Sequence, residues 1–599
     1  MTLISIGIAC LLIGSSMAYL IFEAQGTTQT ISAGTLQLSY TNESEAVSLN
    51  NAVPQSNEQG LNNDTYSITL TNTSTIKSYY ELSLNNNCTV GNSYTINGSS
   101  IKADVCIPNN YIKVAVKTSN DEDYTIKNGG NVILKGYLEA KENISFEMII
   151  WLAEETPNDY QGQTEEGTLR NVIYNGNFKI YTRQILEDDN LDLSGANNPV
   201  LASNMIPVYY DVTEEVWKKA DGKNENKNYR WYSYEPDGEY KGMWANAVTV
   251  TETNRKTYLN AEPGTAIPMD NITTMWVWIP RFKVNTTDFD AIGGKCSCMD
   301  TSYVTKTDCI SNYRVWNCPN PGAIDILFVK ENETAIDAFM FGDKELSGFW
   351  YAKFETSHST LASSYDSNSL KCTNESCDNA NGIIIKPNVN FLTFNDVSNF
   401  FFASRSMEQT GNSFGFVSTE VDTHMSKNNE WGAVAYLTQS IYGRCTSSTA
   451  CTNIGKNNDN LTGMGADAGS EPGDSNGAYN TALGKNASTT GTIYGIYDMS
   501  WGSWEFVMGV YSNTIRYSGF SGLPDDKYYN NYSGTSYTGH ALTETAGWYS
   551  GYASFVDADG PWFSRSANYG NGIAGIFYYT GDGGGPFPSN SSRFVIINE

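Results

Sequence analysis

The side chains that could carry out acid–base or nucleophilic chemistry are sparse in this sequence and show no known catalytic spacing. The only histidines are His358, His424 and His540, and none belongs to a His-x-x-x-His pair for zinc. No Ser or Cys stands in a recognisable nucleophile elbow, and no Gly-x-x-x-x-Gly-Lys-[Ser/Thr] phosphate loop occurs. With 65 Asp and Glu residues, a spaced carboxylate pair arises by chance, so a glycosidase dyad stays an alternative. We therefore predict no catalytic residue, no cofactor and no enzymatic activity.

Cysteine is the residue type whose spacing is most informative. Cys10 lies in an apolar N-terminal stretch, and the other ten cysteines fall into local groups of two, four, two and two. Even, local groups predict that each group closes its own loop through disulfides, which form in an oxidising compartment. Zinc is the alternative for the group of four, although no Cys-x2-Cys pair occurs there, and the pairing within this group is left open. The predicted disulfide cysteines are Cys88, Cys106, Cys296, Cys298, Cys309, Cys318, Cys372, Cys377, Cys445 and Cys451.

One acidic, Gly-rich loop, residues 457–475, could bind a cation. It carries Asp459, Asp467, Glu471 and Asp474, and calcium prefers such oxygen ligands. Calcium is thus a secondary prediction, and we favour the alternative, a solvated loop without metal.

The stretch from residue 486 to 508 carries the strongest resemblance to a known family. An apolar run at 493–497 leads through a short turn to a second apolar run, which predicts strand, turn, strand. The pattern resembles the Gly-hydrophobic-Tyr-Asp-Met-Ser-Gly-Asn-hydrophobic-Trp-Glu element of the formylglycine-generating-enzyme (sulfatase-modifying-factor) family, except that Trp501 replaces a Gly. The resemblance covers roughly residues 275–599 and implies that family's variant of the C-type lectin fold. The matching positions are Gly495, Tyr497, Asp498, Met499, Ser500, Trp504 and Glu505.

This resemblance implies the family's fold without its activity. Formylglycine-generating enzymes use a redox-active cysteine pair in their closing element to bind copper and activate dioxygen. Here the last cysteine is Cys451, and Ser564, Ser566 and Tyr569 occupy the region where the family's cysteines fall. We therefore expect a scaffold that binds a ligand. A catalytically divergent enzyme of the same fold is the alternative.

The closing segment is rich in Tyr, Ser, Asn and Gly, the residue types that binding loops use. It also resembles the C-terminal variable regions of proteins targeted by diversity-generating retroelements, which implies a hypervariable ligand face on the same lectin-type fold. The alternative is a loop that only closes the fold. We expect an external protein or glycan to be bound by Ser564, Ser566, Asn568, Tyr569, Asn571, Tyr578, Tyr579 and Asp582.

Four regions are predicted to position these residues. Residues 1–25 hold an apolar run, from 3 to 22, that is long enough to span a bilayer and is expected to be a signal peptide or transmembrane anchor. Residues 26–185 alternate short strands with turn residues, which predicts a β-sandwich and loosely resembles TasA/camelysin-type surface domains. Residues 186–270 form a linker and a β-hairpin region. Residues 271–599 form the lectin-like domain, with a disulfide-stapled insertion at about 287–343.

Composition narrows the class of protein. The net charge of −28 arises from only 37 Lys and Arg, and such a surface repels phosphate backbones, so nucleic-acid binding is not expected. The 39 Tyr and 53 Gly residues, with little helical periodicity, favour a mostly β protein with an α+β C-terminal part. We expect an extracellular bacterial cell-surface protein, an adhesin or receptor, that is membrane-anchored or secreted. A filament or matrix subunit is a further alternative.

Overall fold

The computed structural model divides the chain into two compact units, Met1–Asp189 (unit 1) and Asn190–Glu599 (unit 2). Both units are built mainly of strands, which confirms the predicted mostly β class. The structure describes residues 19–598 except 25–27, 34–35, 43–47, 74–77, 97–98, 119–122, 131, 162–169, 185–190, 313, 363–369, 371, 374–375, 378, 466–474 and 569–574.

Besides a two-stranded sheet of order β7-β8, unit 1 contains two six-stranded sheets that share one hydrophobic core. One sheet has the order β1-β14-β6-β12, with β4 and β9 also pairing with β14, and the other has the order β11-β10-β13-β5-β3-β2. The strands are β1 Tyr19–Ala24, β2 Thr28–Ala33, β3 Leu36–Asn42, β4 Ser48–Asn50, β5 Tyr66–Asn72, β6 Ser78–Asn86, β7 Ser93–Ile96, β8 Ser99–Lys102, β9 Val105–Cys106, β10 Ile112–Thr118, β11 Thr125–Asn128, β12 Val132–Leu138, β13 Asn143–Leu152 and β14 Val172–Gln184, and helix α1 is Asn57–Gly60.

Alternation of apolar and polar residues explains the packing of unit 1. Ile68 and Leu70 on β5 point to the core, as do Phe146, Met148 and Ile150 on β13. Ser67, Thr69 and Glu147 between them are more exposed, whereas Ile149 is buried in a separate small cluster. Buried residues of β6, β12 and β14 in the other sheet join the same core. Strands of both six-stranded sheets therefore bury their apolar side chains in one common interior.

The apolar N-terminal stretch differs from its prediction where the structure describes it. Residues 19–24 form β1, which pairs antiparallel with β14, so the predicted helical span does not continue to residue 22. In the part of the chain that the structure describes, no helix has the length and apolar character needed to cross a bilayer. Residues 1–18, where most of the predicted signal or anchor lies, are outside the described residues.

Unit 2 contains a larger set of strands and short helices. Its strands are β15 Ile206–Asp211, β16 Val216–Lys219, β17 Asn246–Val250, β18 Ala266–Ile267, β19 Ile272–Pro280, β20 Phe282–Val284, β21 Ser297–Cys298, β22 Trp316–Asn317, β23 Ile326–Phe328, β24 Met340–Phe341, β25 Lys344–Glu345, β26 Gly348–Ala352, β27 Ser357–His358, β28 Cys372–Thr373, β29 Ser376–Cys377, β30 Ile383–Ile384, β31 Val421–Met425, β32 Trp504–Tyr511, β33 Asn530–Tyr532, β34 Trp562–Arg565, β35 Tyr579–Asp582, β36 Asn590–Ser592 and β37 Phe594–Asn598. Its α-helices are α2 Glu252–Leu259, α3 Phe289–Gly293, α4 Lys306–Ser311, α5 Val397–Ser406 and α6 Asn428–Thr438.

Two sheets organise unit 2. An antiparallel sheet of order β18-β16-β15-β17-β19-β26-β37-β31 runs through its centre, and a mixed sheet of order β33-β32-β34-β35, with β36 beside β32, lies at its C-terminal end. Strands β15–β18 belong to the central sheet, and Trp217, Trp231 and Trp244 are part of its core. The predicted linker and β-hairpin region, 186–270, thus belongs to unit 2 from Asn190 onward, and β15 and β16 in it form an antiparallel hairpin. Its aromatic residues reflect burial in a common core.

Two predicted elements near the family-like stretch need correction. Residues 493–497 are not a strand, because Nζ of the buried Lys353 donates to the carbonyls of Ile493 and Gly495 at 2.7 Å and so takes the place of a neighbouring strand. The second run is a strand, β32, as predicted. The sequence from His424 to Leu437 is also predicted to be a helix, but His424 lies on β31 and α6 begins only at Asn428.

All ten predicted cysteines form disulfides, each within its own local group. Cys296 pairs with Cys318 and Cys298 with Cys309, which settles the pairing that the sequence left open. The remaining bonds are Cys88–Cys106, Cys372–Cys377 and Cys445–Cys451. Five disulfides indicate an oxidising, extracellular or secreted environment.

The insertion at 287–343 is stapled but is not wholly an excursion from the core. Its first part carries the two nested disulfides, whereas Ile324, Phe328, Phe339 and Phe341 are buried in the main core of unit 2. We expect the double substitution of Cys296 and Cys318 by Ser to lower the free energy of unfolding of unit 2 by about 3 kcal/mol, because the bond closes a loop with a sequence separation of 22.

Denaturant titration of the full chain would measure this loss. The matched control removes Cys372–Cys377, whose separation of 5 predicts a smaller loss of about 2 kcal/mol. Equal stability of the Cys296 and Cys318 variant and the unmodified protein would contradict the prediction.

Candidate functional site

Four of the predicted ligand-binding residues are buried. Ser564 on β34 and Ser566 just after it are shielded from solvent, and the Ser566 hydroxyl donates to the Trp501 carbonyl at 3.2 Å. Tyr578 and Tyr579 are 5% and 2% exposed, and burial raises the pKa of Tyr578 to about 12. The predicted exposed face is therefore not formed by these four side chains. The C-terminal sheet turns them inward.

Of the other four predicted residues, two are half-buried and two lie outside the described residues. Asn568 and Asp582 are half-buried, and a backbone N–H at Gly584 donates to Asp582 Oδ1 at 2.8 Å. Tyr569 and Asn571 lie outside the described residues. Asn568 and Asp582 are thus the members of the predicted set whose partial exposure leaves them available to a ligand.

A small aromatic cluster, separate from the main core, lies beside the closing segment. The rings of Tyr552 and Tyr578 are 6.1 Å apart, and those of Trp504 and Phe587 are 6.3 Å apart. Phe587 is 51% exposed, and Trp504 and Tyr552 are half-buried. We define Trp501, Trp504, Tyr552, Tyr578 and Phe587 as the aromatic patch. Such side chains offer a large contact area for a small loss of conformational entropy.

Polar groups border the aromatic patch. Nζ of Lys456 lies 4.1 Å from the centre of the Trp501 ring, a cation–π contact. Asn590 pairs with Trp504 in the sheet, and its Oδ1 is buried with no hydrogen-bond partner in the described structure. The patch therefore combines apolar area with a cation and an unused acceptor.

Buried carboxylates hold the turn that carries Trp501. Glu355 Oε1 accepts hydrogen bonds from the Ser503 backbone N–H at 2.8 Å and from its hydroxyl at 2.7 Å. Asp498, with a φ of 65°, accepts from the Asn457 amide and from the backbone of Gly463. These hydrogen bonds fix the backbone of the turn that carries Trp501 and so preorganise the patch.

The same carboxylates surround one buried arginine. Arg593 donates to both oxygens of Glu505, at 2.8 and 2.9 Å, and to the Ala352 carbonyl at 3.2 Å. Burial raises the pKa of Asp498 to about 6, although Arg593 opposes the shift. Burial raises the pKa of Glu355 well above its usual value, and the neighbouring Asp498 adds to this effect. We call Glu355, Asp498, Glu505 and Arg593 the arginine cluster.

A second charged group centres on His424. Its Nδ1 lies 3.0 Å from Asp422 Oδ1 and its Nε2 lies 3.0 Å from Glu430 Oε1, and all three side chains are buried. Arg405 pairs with Asp422 at 2.7 Å. Burial opposes the charged imidazole, but the attraction of Glu430 and Asp422 raises the pKa of His424 above its usual value. Both nitrogens are engaged and no face of the ring is open, so this group, Glu430 included, stabilises the fold.

The third histidine belongs to a chain of polar groups without an available nucleophile. His540 Nε2 lies 2.7 Å from Asp337 Oδ2, and its Nδ1 lies 2.6 Å from the Tyr532 hydroxyl. Asn428 also donates to that hydroxyl at 2.8 Å. Burial raises the pKa of Tyr532 well above its usual value, so the phenol stays neutral and shielded. This geometry does not support nucleophilic catalysis.

The predicted calcium loop is only partly described. Asp459 is buried, and its Oδ1 accepts from the Leu461 backbone at 3.1 Å. Asp467, Glu471 and Asp474 lie outside the described residues. Where the structure does describe the chain, no three His, Cys, Asp or Glu side chains converge as metal ligands would. Calcium therefore stays an untested prediction for this loop.

Sequence reasoning missed most of the aromatic patch. The sequence singles out Trp501, because this large apolar residue stands in a tight turn where the resembled family pattern has a Gly. Trp501 has a φ of 70°, an unusual conformation for a bulky residue. Tyr552 and Phe587 carry no such signal, because each lies in an irregular segment whose path depends on long-range contacts.

No protein-family model matches this sequence, and no curated protein matches it either.

Proposed function

We propose that this chain is an extracellular ligand-binding protein, an adhesin or receptor of a bacterial surface, and that the aromatic patch contacts an external protein or glycan. The observation that carries the proposal is the patch itself. Its Trp504, Tyr552 and Phe587 side chains are half-buried or exposed, Trp501 and Tyr578 are buried beside them, and buried hydrogen bonds hold the turn that carries Trp501. Rigid Trp and Tyr side chains dominate the energetics of protein interfaces.

The fold part of the proposal is a C-type-lectin-like arrangement of the formylglycine-generating-enzyme type for unit 2. Its support is the matching run from Gly495 to Glu505 and the two-sheet layout with the C-terminal strand β37 inside the central sheet. On this proposal unit 1 is a spacer or assembly module, similar to TasA/camelysin-type domains. Diversification of the closing segment is part of the same proposal, and the absence of a template repeat and reverse transcriptase beside the gene would count against it.

Binding arrays of proteins and glycans, probed with the full chain, test the function. We expect Trp504→Ala and Phe587→Ala each to weaken binding to any ligand found by about tenfold or more, since a truncated hot-spot residue costs about 2 kcal/mol. Phe587 is 51% exposed, so its removal leaves the core intact.

Met299→Ala is the matched control, because Met299 is 65% exposed and lies in the stapled insertion, outside the patch. Unchanged affinity in both patch variants would reject the patch as the ligand site.

Electron microscopy of the purified protein tests the filament alternative, since a matrix subunit assembles into regular filaments and an isolated receptor does not.

A further inference from the structure

A cavity of about 280 Å³ opens on the surface of unit 2, away from the residues of the aromatic patch. Its rim is exposed at Lys227, Asn228, Glu239 and Tyr240. The volume lies just below the range of roughly 300–1,000 Å³ that drug-sized ligands occupy, so the cavity suits a ligand of about one ring. It is lined by Tyr209, Tyr210, Lys227, Asn228, Arg230, Glu239, Tyr240, Lys241, Met243, Thr492 and Tyr494.

Tyr210 and Tyr494 form part of the cavity wall, and contacts with each other and with Trp217 hold them in place. Tyr494 OH accepts from the Tyr210 backbone N–H at 3.2 Å and donates to the Tyr210 carbonyl at 3.3 Å. Trp217 packs edge-on against both rings, with centroids 5.4 and 5.9 Å away. The wall is thus preformed, so a ligand that stacks on it binds with little loss of side-chain conformational entropy.

The side chains that line the cavity carry a net positive charge, whereas the whole chain has a net charge of −28. Three cations, Lys227, Arg230 and Lys241, line it against the single carboxylate of Glu239, although acidic residues outnumber basic ones 65 to 37 overall. Within the described residues no ion pair joins Arg230 or Lys241 to a carboxylate. A cation cluster in such an acidic protein indicates an anionic ligand.

Two contacts hold the arginine side chain at the cavity. Arg230 lies over the Tyr240 ring at 4.2 Å and donates from Nη1 to the Leu191 carbonyl at 3.0 Å. Its Nε is buried and has no hydrogen-bond partner in the described structure. Lys241 donates to the Cys445 carbonyl at 2.6 Å, and burial lowers its pKa, so an incoming anion would stabilise its charge.

We propose that this cavity binds a carboxylated sugar, a hexuronate residue of an acidic saccharide. The sugar ring stacks on tyrosine faces, the carboxylate meets Arg230 and Lys241, and the ring hydroxyls meet Asn228 and the tyrosine hydroxyls. The size of the cavity and the net charge of the chain disfavour nucleotides and other polyphosphates. This site is distinct from the aromatic patch and goes beyond the proposed function.

Calorimetric titration of the full chain tests the proposal with three probes: glucuronate or galacturonate, the corresponding neutral sugar, and inorganic phosphate. We expect the uronate to bind at least about tenfold more tightly than the neutral sugar, because a hydrogen bond to a charged group is worth more than one between neutral groups. Phosphate is expected to compete weakly, since it cannot stack. Equal binding of the acidic and neutral sugars, no binding of either, or full competition by phosphate would overturn the proposal.

Two variants locate the site. We expect Arg230→Gln and Tyr240→Ala each to weaken uronate binding about tenfold or more, while Lys295→Gln, at an exposed cation outside the cavity, leaves it unchanged. Tyr240 is 37% exposed, so its truncation keeps the fold and the test informative. Trp504→Ala should not alter uronate binding, which separates this proposal from the aromatic patch. Unchanged affinity in both cavity variants would reject the site.

Discussion

Replacing Arg593 with Met should lower the free energy of unfolding of unit 2 by about 3–5 kcal/mol, because it removes the cation from a buried group of carboxylates. Arg593 lies between β36 and β37, and it bonds to Glu505 on β32 of the C-terminal sheet and to Ala352 on β26 of the central sheet. Its loss leaves Glu505 without this partner for either oxygen and removes hydrogen bonds that join the two sheets. Methionine is apolar and flexible, so it fills the space without supplying a charge.

The cost of this substitution should depend on pH. The pKa of Asp498 is raised from 3.8 to about 6 in the folded protein, so its contribution to stability is complete below about pH 4 and is lost as pH rises through 6. The raised pKa of Glu355 acts in the same direction at higher pH. Without Arg593 these carboxyl groups are protonated still more readily. We therefore expect acidification from pH 8 to pH 5 to restore part of the lost stability.

Denaturant titration of both proteins at pH 5 and pH 8 measures these effects. Arg516→Met is the matched control, because Arg516 forms an exposed ion pair with Asp559 and its loss should produce no measurable change. A variant as stable as the unmodified protein at pH 8, or a deficit that grows on acidification, would contradict the role assigned to the arginine cluster.

The second large effect is expected at His424. We expect His424→Leu to destabilise unit 2 by about 3–5 kcal/mol, because the imidazolium bridges two buried carboxylates and its removal leaves both without that partner. Asp422 retains Arg405, and Glu430 retains the Lys427 backbone N–H at 2.7 Å, so the remaining bonds limit the loss.

This histidine also gives the protein an alkaline limit of stability. Since the pKa of His424 is raised on folding, its contribution is complete below the unfolded value of 6.5 and is lost as pH rises through the folded value. The pKa of Asp422 is lowered to about 2, because the bonds to His424 and Arg405 outweigh burial, so its contribution is lost only as pH falls below 3.8. The variant should lack the alkaline loss and gain stability on acidification.

Thermal unfolding between pH 4 and pH 9 distinguishes these profiles. His358→Gln provides a buried histidine control, because His358 contacts the Asn379 carbonyl and the Thr360 backbone rather than a carboxylate. Its loss should cost about 1 kcal/mol, in line with a neutral hydrogen bond, with little dependence on alkaline pH. Parallel pH profiles for the His424 variant and the unmodified protein would refute the bridging role.

Local pattern was sufficient for the strands and the cysteine loops. The alternation at Ile68 and Leu70 specifies the inward face of β5, and the even cysteine groups specify local bonds, since both depend on near neighbours in sequence. The run at 493–497 shows the limit of this reasoning. It is apolar enough for a strand, yet Lys353, about 140 residues earlier in the chain, satisfies its carbonyls.

The aromatic patch shares only Tyr578 with the ligand-binding residues predicted from the sequence. Tyr, Ser and Asn in the closing segment indicate a binding surface by residue type, but type does not reveal which side chains the sheet turns inward. Tyr578 belongs to the patch, whereas Tyr579, its neighbour, is buried in the main core. Tyr579 begins β35 and pairs with Arg565 of β34, whereas Tyr578 precedes the strand, and the start of β35 depends on this long-range pairing.

The burial of basic side chains has a consequence for survival outside the cell. Lys and Arg are scarce in this chain, and in unit 2 Arg281, Lys353, Lys427, Arg565 and Arg593 are inaccessible to solvent. Trypsin-like proteases must seat a Lys or Arg side chain in a pocket before they cut, so these positions offer no cleavage point in the folded protein. Tryptic cleavage of folded unit 2 is therefore restricted to exposed cations such as Lys227, Lys295 and Arg516.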